Sequence, residues 1–249
     1  MQLFVTEYKK NDTTIIITDS NLLSQLRKVL RASIGDIIWV QSPEPAVQKT
    51  RYEIRIEVWD NKMVEGTIVS TYHHTTTNAI KTMIVAMPNK WDKVELIVQK
   101  LTECGLDQIV FWPSERSIIR EWNTKKEERL HKIIKEAVEQ SRWRTMPELH
   151  FTRDITQYIQ DTEVIVFDKS GTMTQKQEVK AHKPVPNSES HITGIVWPEG
   201  WFTPRDYQIF EWMKYEIYGL GTTVLRTETA AIIWWRIIKN NEKAIPHTQ

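Results

Sequence analysis

Over the first 70 residues the apolar positions recur mostly with a period of two. Thr14-Ile15-Ile16-Ile17-Thr18 is β-branched. Tyr52, Ile54, Ile56 and Val58 alternate with Arg51, Glu53, Arg55 and Glu57, the pattern of a half-buried strand. Met63 to Val69 predicts its neighbour, with Asp60-Asn61 as the turn. One helix interrupts the set, capped by Asp19 or Ser20, with Leu22, Leu23, Leu26, Val29 and Leu30 on one face. Many short strands around one helix predict a small barrel.

From Thr71 to Asn78 the chain is polar and aperiodic and reads as a linker. Beyond it strands alternate with helices. Thr82–Met87, Gln108–Phe111, Val164–Phe167 and Ile192–Val196 are compact apolar strands. Residues 91–104 turn Val94, Ile97, Val98 and Leu101 to one face, and Thr124 with Glu127 predicts a capping box for a helix carrying Leu130, Ile133, Ile134, Ala137 and Val138. Thr203 caps a helix with Pro204 at its first position, and a last helix runs from Thr227 to about Ile238. This alternation predicts an α/β domain with a parallel sheet. The expected organisation is a barrel over 1–72, a linker over 73–79 and an α/β domain over 80–249, with 171–190 as a polar loop.

The 249 residues suffice for a substantial core. Lys plus Arg is 33 against 32 Asp plus Glu, so the net charge of +1 excludes attachment to nucleic acid by bulk charge and leaves only a local basic face. There is no apolar run of membrane-spanning length, and Met1 to Glu7 lacks the pattern of a signal peptide. The single cysteine, Cys104, excludes an internal disulfide framework and reads as a small core residue at a helix end. A cytoplasmic protein is expected. His73-His74 has no partners at ligand spacing, so no metal site is expected.

Three stretches carry candidate chemistry. Ile195 to Pro204, with Val196-Trp197-Pro198-Glu199-Gly200 at its centre, is a buried strand running into a turn and a helix start. Ligands of open α/β sheets sit at such carboxyl ends, although an ordinary strand-to-helix loop has the same pattern. Tyr218-Gly219-Leu220-Gly221, followed by Val224-Leu225-Arg226 and a capped helix, exposes backbone amides to a ligand; Gly-x-Gly by itself is a weak signal. Between residues 114 and 144 nine Lys/Arg face six Asp/Glu, a local excess of three. Arg116, Arg142 and Arg144, with hydroxyls and an indole between them, could grip RNA phosphates, whereas the Lys/Glu-rich stretch 125–136 reads as a solvated helix face.

Taken in order, these stretches resemble the 16S rRNA (uracil-N3)-methyltransferase family of the SPOUT superfamily. The resemblance is carried by Leu26-Arg27-Lys28-Val29-Leu30-Arg31 with Gly35-Asp36, by Val94 to Gly105, and by Ser114-Glu115-Arg116-Ser117. Glu139-Gln140-Ser141, Trp197-Pro198-Glu199-Gly200-Trp201-Phe202 and Leu220-Gly221 with Leu225 to Ala231 complete it. It implies an amino-terminal PUA-like RNA-binding barrel and a SPOUT α/β domain with a trefoil knot. It further implies a homodimer, S-adenosylmethionine as methyl donor, and N3 of a uridine in 16S rRNA, in the small ribosomal subunit, as acceptor. In that frame Arg116 is the catalytic or phosphate-holding cation and Glu199 the candidate base. Val196, Trp197, Glu199, Gly200, Leu220, Gly221, Val224, Leu225 and Arg226 line the cofactor, and Arg27, Arg31, Arg116, Arg142 and Arg144 hold RNA. The alternatives are an inactive relative that binds rRNA and a SPOUT methyltransferase for another RNA site.

The chain departs from the family at glycines. Trp197 and Trp201 stand where the family has glycine, and Trp91 replaces a turn glycine. The chain has 8 glycines, against about 17 at the usual frequency, and 11 tryptophans. A diverged loop, an inactive relative, or UGA codons meaning glycine but written as tryptophan each account for this. TGG codons at 91, 197 and 201 would eliminate the last.

Overall fold

The computed structural model describes residues 2–44, 49–74, 80–143, 145–167, 191–209, 215–219 and 223–242. They form two compact units, Met1–Thr76 with Lys135–Met146, and Thr77–Ile134 with Pro147–Gln249.

The first unit contains β1 (Leu3–Val5), β2 (Lys9–Lys10), β3 (Thr14–Ile17), α1 (Ser20–Gln25), β4 (Ile37–Gln41), β5 (Lys49–Trp59) and β6 (Val64–His74). Its six strands form one sheet in the order β1-β4-β5-β6-β3-β2, antiparallel except for β1 on β4. The alternation holds at its centre, where Ile54 and Ile56 are fully buried with Phe4, Ile15, Ile17, Val40 and Val64. It fails at its ends: Val58 is 46% exposed, because the pairing with β6 shifts register between Ile56 and Val58, and Arg51 is buried. Asp60 makes the predicted turn by accepting bonds from the Lys62 and Met63 amides at 2.6 and 2.8 Å. Two further expectations need correction. β6 runs on to His74, paired with Lys49, so part of the predicted linker is strand. Val29 and Leu30 are 70% and 39% exposed, because α1, capped by Asp19, passes into a π-helical turn over Leu26–Leu30. The wider turn rotates both residues off the face that Leu22, Leu23 and Leu26 bury.

The second unit contains β7 (Lys81–Ala86), α2 (Trp91–Cys104), β8 (Gln108–Trp112), α3 (Thr124–Ser141), whose carboxyl-terminal part belongs to the first unit, β9 (Glu148–Phe151) and α4 (Thr156–Ile159). β10 (Glu163–Phe167), β11 (Ile192–Val196), α5 (Pro204–Gln208), β12 (Tyr215–Tyr218) and α6 (Thr227–Glu242) complete it. The strands form a parallel sheet in the order β12-β10-β11-β7-β8-β9. β7 is buried along its whole length, as a strand covered on both faces must be. Asn123, rather than Thr124, caps α3, its side-chain oxygen accepting from the Lys126 amide at 3.0 Å. Asparagine is the stronger cap and sits one residue earlier. Cys104 is half-buried at the end of α2, not in the core, since the inward stripe ends at Leu101 and Thr102. Among the described residues no helix is long and apolar enough to cross a membrane.

α6 packs on α2 and on β11 and β7. Its Trp234 is fully buried, edge-on to Phe167 at 5.8 Å, and lies where Gly194 of β11 has no side chain. A β-carbon on Gly194 would stand 2.4 Å from the indole. That glycine therefore sets how closely helix and sheet approach.

Candidate active site

β7 leads to β8 on one side of the sheet, while β11 is entered and left from the other. The crevice between the carboxyl ends of β7 and β11 is thus a topological switch point, where α/β sheets bind ligands. Three loops converge on it.

The first follows β7. The Met87 amide donates to the carbonyl of Trp112 at 2.7 Å, and the Met87 carbonyl accepts from the Ser117 hydroxyl at 3.1 Å. The second follows β8, where Ser114 and Ser117, both buried, share a 3.0 Å hydroxyl bond. These contacts fold the loop so that Arg116 emerges exposed. The third follows β11 and runs from Trp197 to Thr203. Thr203 and Asp206 form a reciprocal capping box that fixes the start of α5, and Asp206 also accepts from the Glu115 amide at 3.0 Å. Arg116 donates to the carbonyl of Gly200, and its aliphatic part lies 3.1–3.2 Å from where a β-carbon on Gly200 would be. A side chain at position 200 would push the guanidinium stem back by a few tenths of an ångström.

Glu199 stands in the same turn. It accepts from Lys93 Nζ at 2.8 Å and from the Asn89 amide at 3.2 Å. Lys93 also faces Glu228 of α6, with 3.6 Å between Nζ and Oε2. The bond to Glu199 raises the Lys93 pKa above its ordinary value, so this lysine is a fixed cation between two carboxylates. Glu228 Oε2 and Thr227 Oγ1 are buried and have no hydrogen-bond partner.

The two indoles of the turn stack on each other, with ring centroids 5.0 Å apart. Trp197 is 3% exposed, and Trp201 has φ +64°, left-handed backbone that favours glycine. Trp91 differs: it opens α2 and packs beside Trp122 and under Lys126, with ring centroids 6.2 Å apart and Nζ 4.5 Å from its ring.

Of the residues predicted for the cofactor, Val196, Trp197, Glu199 and Gly200 lie together at the end of β11, and Arg116 joins them. Val224 is 74% exposed, Leu225 half-buried and Arg226 exposed, all preceding α6. Leu220, Gly221 and Arg144 lie outside the described residues. The other predicted RNA contacts belong to the first unit. Arg27 is engaged by Asn61 and by the Asp60 carbonyl, each at 3.0 Å, and so braces the β5–β6 turn. Arg31 is exposed at φ +52°, and Arg142 lies beside Trp39. Sequence reasoning missed Lys93 and Asn89. Nothing in the local pattern marks either, because each acts through a partner more than 100 residues away.

Fold and crevice together define a parallel α/β domain with a crevice at a topological switch point. The family model of an RNA methyltransferase domain matches residues 76–239, and the chain belongs to that family. Ribosomal RNA small subunit methyltransferase E of Bacillus subtilis (strain 168) is 31% identical over 164 residues, 61% of this chain and 63% of that protein. The protein of the same name from Rickettsia conorii is 29% identical over 158 residues, 63% of this chain and 62% of its own length. The chain thus spans less than two thirds of the length of these relatives. A crystal structure of ribosomal RNA small subunit methyltransferase E from Neisseria gonorrhoeae, bound to S-adenosyl methionine, superposes with a TM-score of 0.74 at 22% identity, covering 96% of this chain and 97% of that one.

Proposed function

We propose that this chain is an S-adenosylmethionine-dependent methyltransferase for N3 of a uridine in 16S rRNA of the small ribosomal subunit, acting in the cytoplasm as a homodimer. In this reading the first unit is a PUA-like RNA-binding barrel and the second a SPOUT domain with a trefoil knot. The observation that carries it is the Leu225 to Ala231 segment. It resembles the family signature, and it opens α6 with Glu228 turned to the same lysine that holds Glu199 in the crevice turn.

The residues present fit the cofactor in polarity. S-adenosylmethionine is cationic at sulfur and at its amino group. Two carboxylates, Glu199 and Glu228, stand about Lys93 beside the turn, with Arg116 and Arg226 as the neighbouring cations, and the buried Glu228 Oε2 and Thr227 Oγ1 have no hydrogen-bond partner among the described residues. The backbone from Val196 to Gly200 and from Val224 to Arg226 would hold it. When bound, it supplies an electrophilic methyl group.

The rest falls to this chain. N3 of uracil is protonated at neutral pH and attacks only as that proton leaves, so charge develops on O2 and O4. Arg116, exposed beside the turn, is the cation that stabilises this charge. Glu199 is the candidate base, its carboxylate held by Lys93 at 2.8 Å. Arg116→Ala should lower methylation of 16S rRNA about a hundredfold, as loss of an oxyanion donor does, with calorimetric S-adenosylmethionine affinity unchanged. Glu199→Gln separates its two roles. A fall in kcat at unchanged cofactor affinity assigns the base, and a fall in affinity alone assigns the turn. A wild-type rate for Arg116→Ala removes Arg116 from the mechanism.

One observation favours the silent RNA-binding alternative. The Trp197–Trp201 stack fills part of the turn, and Trp201 holds a backbone conformation that suits glycine. Titrating S-adenosylmethionine into the chain and into Trp197→Gly/Trp201→Gly decides between them. Binding by both supports the methyltransferase, and binding by the glycine variant alone means the indoles obstruct the site.

A further inference from the structure

A buried cation without a counter-ion lies in the first unit. Arg51 of β5 is 7% exposed. Its Nη2 donates to the carbonyls of Arg142 and Trp143 at 2.9 and 3.2 Å and to Gln41 Oε1 at 3.4 Å, while its Nε is buried with no partner. Among the described residues no carboxylate pairs with Arg51 or Arg142. Burial and the charge of Arg142 hold the Arg51 pKa below its ordinary value. Buried charges are normally paired, and an unpaired one leaves a field that an anion can answer.

The surroundings specify the anion. Arg142 is exposed and follows the last residue of α3 at φ +56°, a position where glycine would be cheaper. Arg51 fixes it there through the two carbonyls. The guanidinium carbons of Arg51 and Arg142 lie 5.2 and 5.6 Å from the Trp39 ring, and Tyr72, 43% exposed, lies 6.3 Å from that ring. The nearby carboxylate, Glu53, is occupied by neutral donors, the Trp39 indole at 3.4 Å and the Tyr72 hydroxyl at 3.0 Å. It orients both rings without neutralising either arginine.

We infer that the Trp39–Tyr72–Arg142 face binds the backbone of single-stranded RNA, with a phosphate on Arg142 and an adjoining base against the aromatic rings, while Arg51 is a positioning residue. An acidic protein segment would satisfy the charge but not use the two rings; stacking on aromatics beside a cation suits single strands. The inference rests on the proposed rRNA substrate and gives that substrate a contact on the first unit.

The test is fluorescence anisotropy of a labelled octa-uridine with the full chain and with Arg142→Ala, Trp39→Ala and Trp39→Phe, over a series of salt concentrations. Arg142→Ala should weaken binding about tenfold and reduce the salt slope by about one unit. Trp39→Ala should weaken it about tenfold with the slope kept, and Trp39→Phe should recover most of that loss while guarding against misfolding. Octa-glutamate is run alongside. The inference is overturned if octa-uridine binds all variants as it binds the parent chain, if the parent does not bind it, or if octa-glutamate binds as tightly with the same dependence on Arg142. S-adenosylmethionine titration of the same samples reports on the methyltransferase reading separately. RNA binding that depends on Arg142 without cofactor binding upholds the inference and removes that reading; the reverse pattern does the opposite.

Discussion

Gly194→Ala tests the packing that positions the candidate site. The added carbon would lie 2.4 and 2.5 Å from two atoms of the Trp234 six-membered ring. Ordinary carbon contacts are about 3.5–4.0 Å, so the indole must retreat about 1 Å. It is fully buried, rigid, and held edge-on by Phe167, so no flexible end can move aside. Overpacking of this kind costs about 1–3 kcal/mol, and so rigid a neighbour places it near the top of that range. Alanine recovers about 0.5–1 kcal/mol over glycine in a strand interior, which leaves a net loss of about 2 kcal/mol. Guanidinium unfolding followed by circular dichroism reads this as a lower midpoint at unchanged slope. Trp234→Phe makes room, so the double variant should be less destabilised than the two single losses added, with a coupling of about 1–2 kcal/mol. A midpoint for Gly194→Ala equal to or above the parent's, or strictly additive losses, refutes the argument that this contact sets the helix-to-sheet distance.

Trp201→Gly removes a left-handed indole, which costs about 1–2 kcal/mol in backbone strain, and loses a stack worth about 0.5–1.5 kcal/mol. Its Tm should therefore stay close to the parent's, and a large drop would show that the stack holds the turn. Thr203→Ala breaks the capping box and should cost about 1 kcal/mol in the same unfolding assay. Burial pushes the Glu139 carboxyl above its ordinary 4.5. The folded state thus holds that proton more tightly, a contribution that is full below pH 4.5 and lost as pH rises through the raised value. Glu139→Gln should flatten this part of the stability–pH curve, and an unchanged curve would contradict the assignment.

The periods of the chain were sufficient for much of the fold. Alternation in Tyr52 to Val58 buried Ile54 and Ile56, and the apolar runs became a parallel sheet. Thr203-Pro204 capped its helix as expected, because caps and periods are local physics. The turn after β11 was legible as a candidate ligand site, since strand ends are where such sheets bind. Its partners were not. Lys93, Asn89 and Arg116 meet Glu199 and Gly200 across 84–110 residues of chain, and no local pattern encodes a meeting that strand order alone arranges. The same holds for Arg51. Its place in an alternating strand predicted an exposed charge, and only the return of Lys135–Met146 to the first unit buries it under the carbonyls of Arg142 and Trp143. By itself the sequence determined which elements form and which faces are apolar, because propensity and period act over a few residues. The tertiary structure decided which charges are paired, which are left without a counter-ion, and which glycine or tryptophan has room, because those depend on distances between segments remote in the chain.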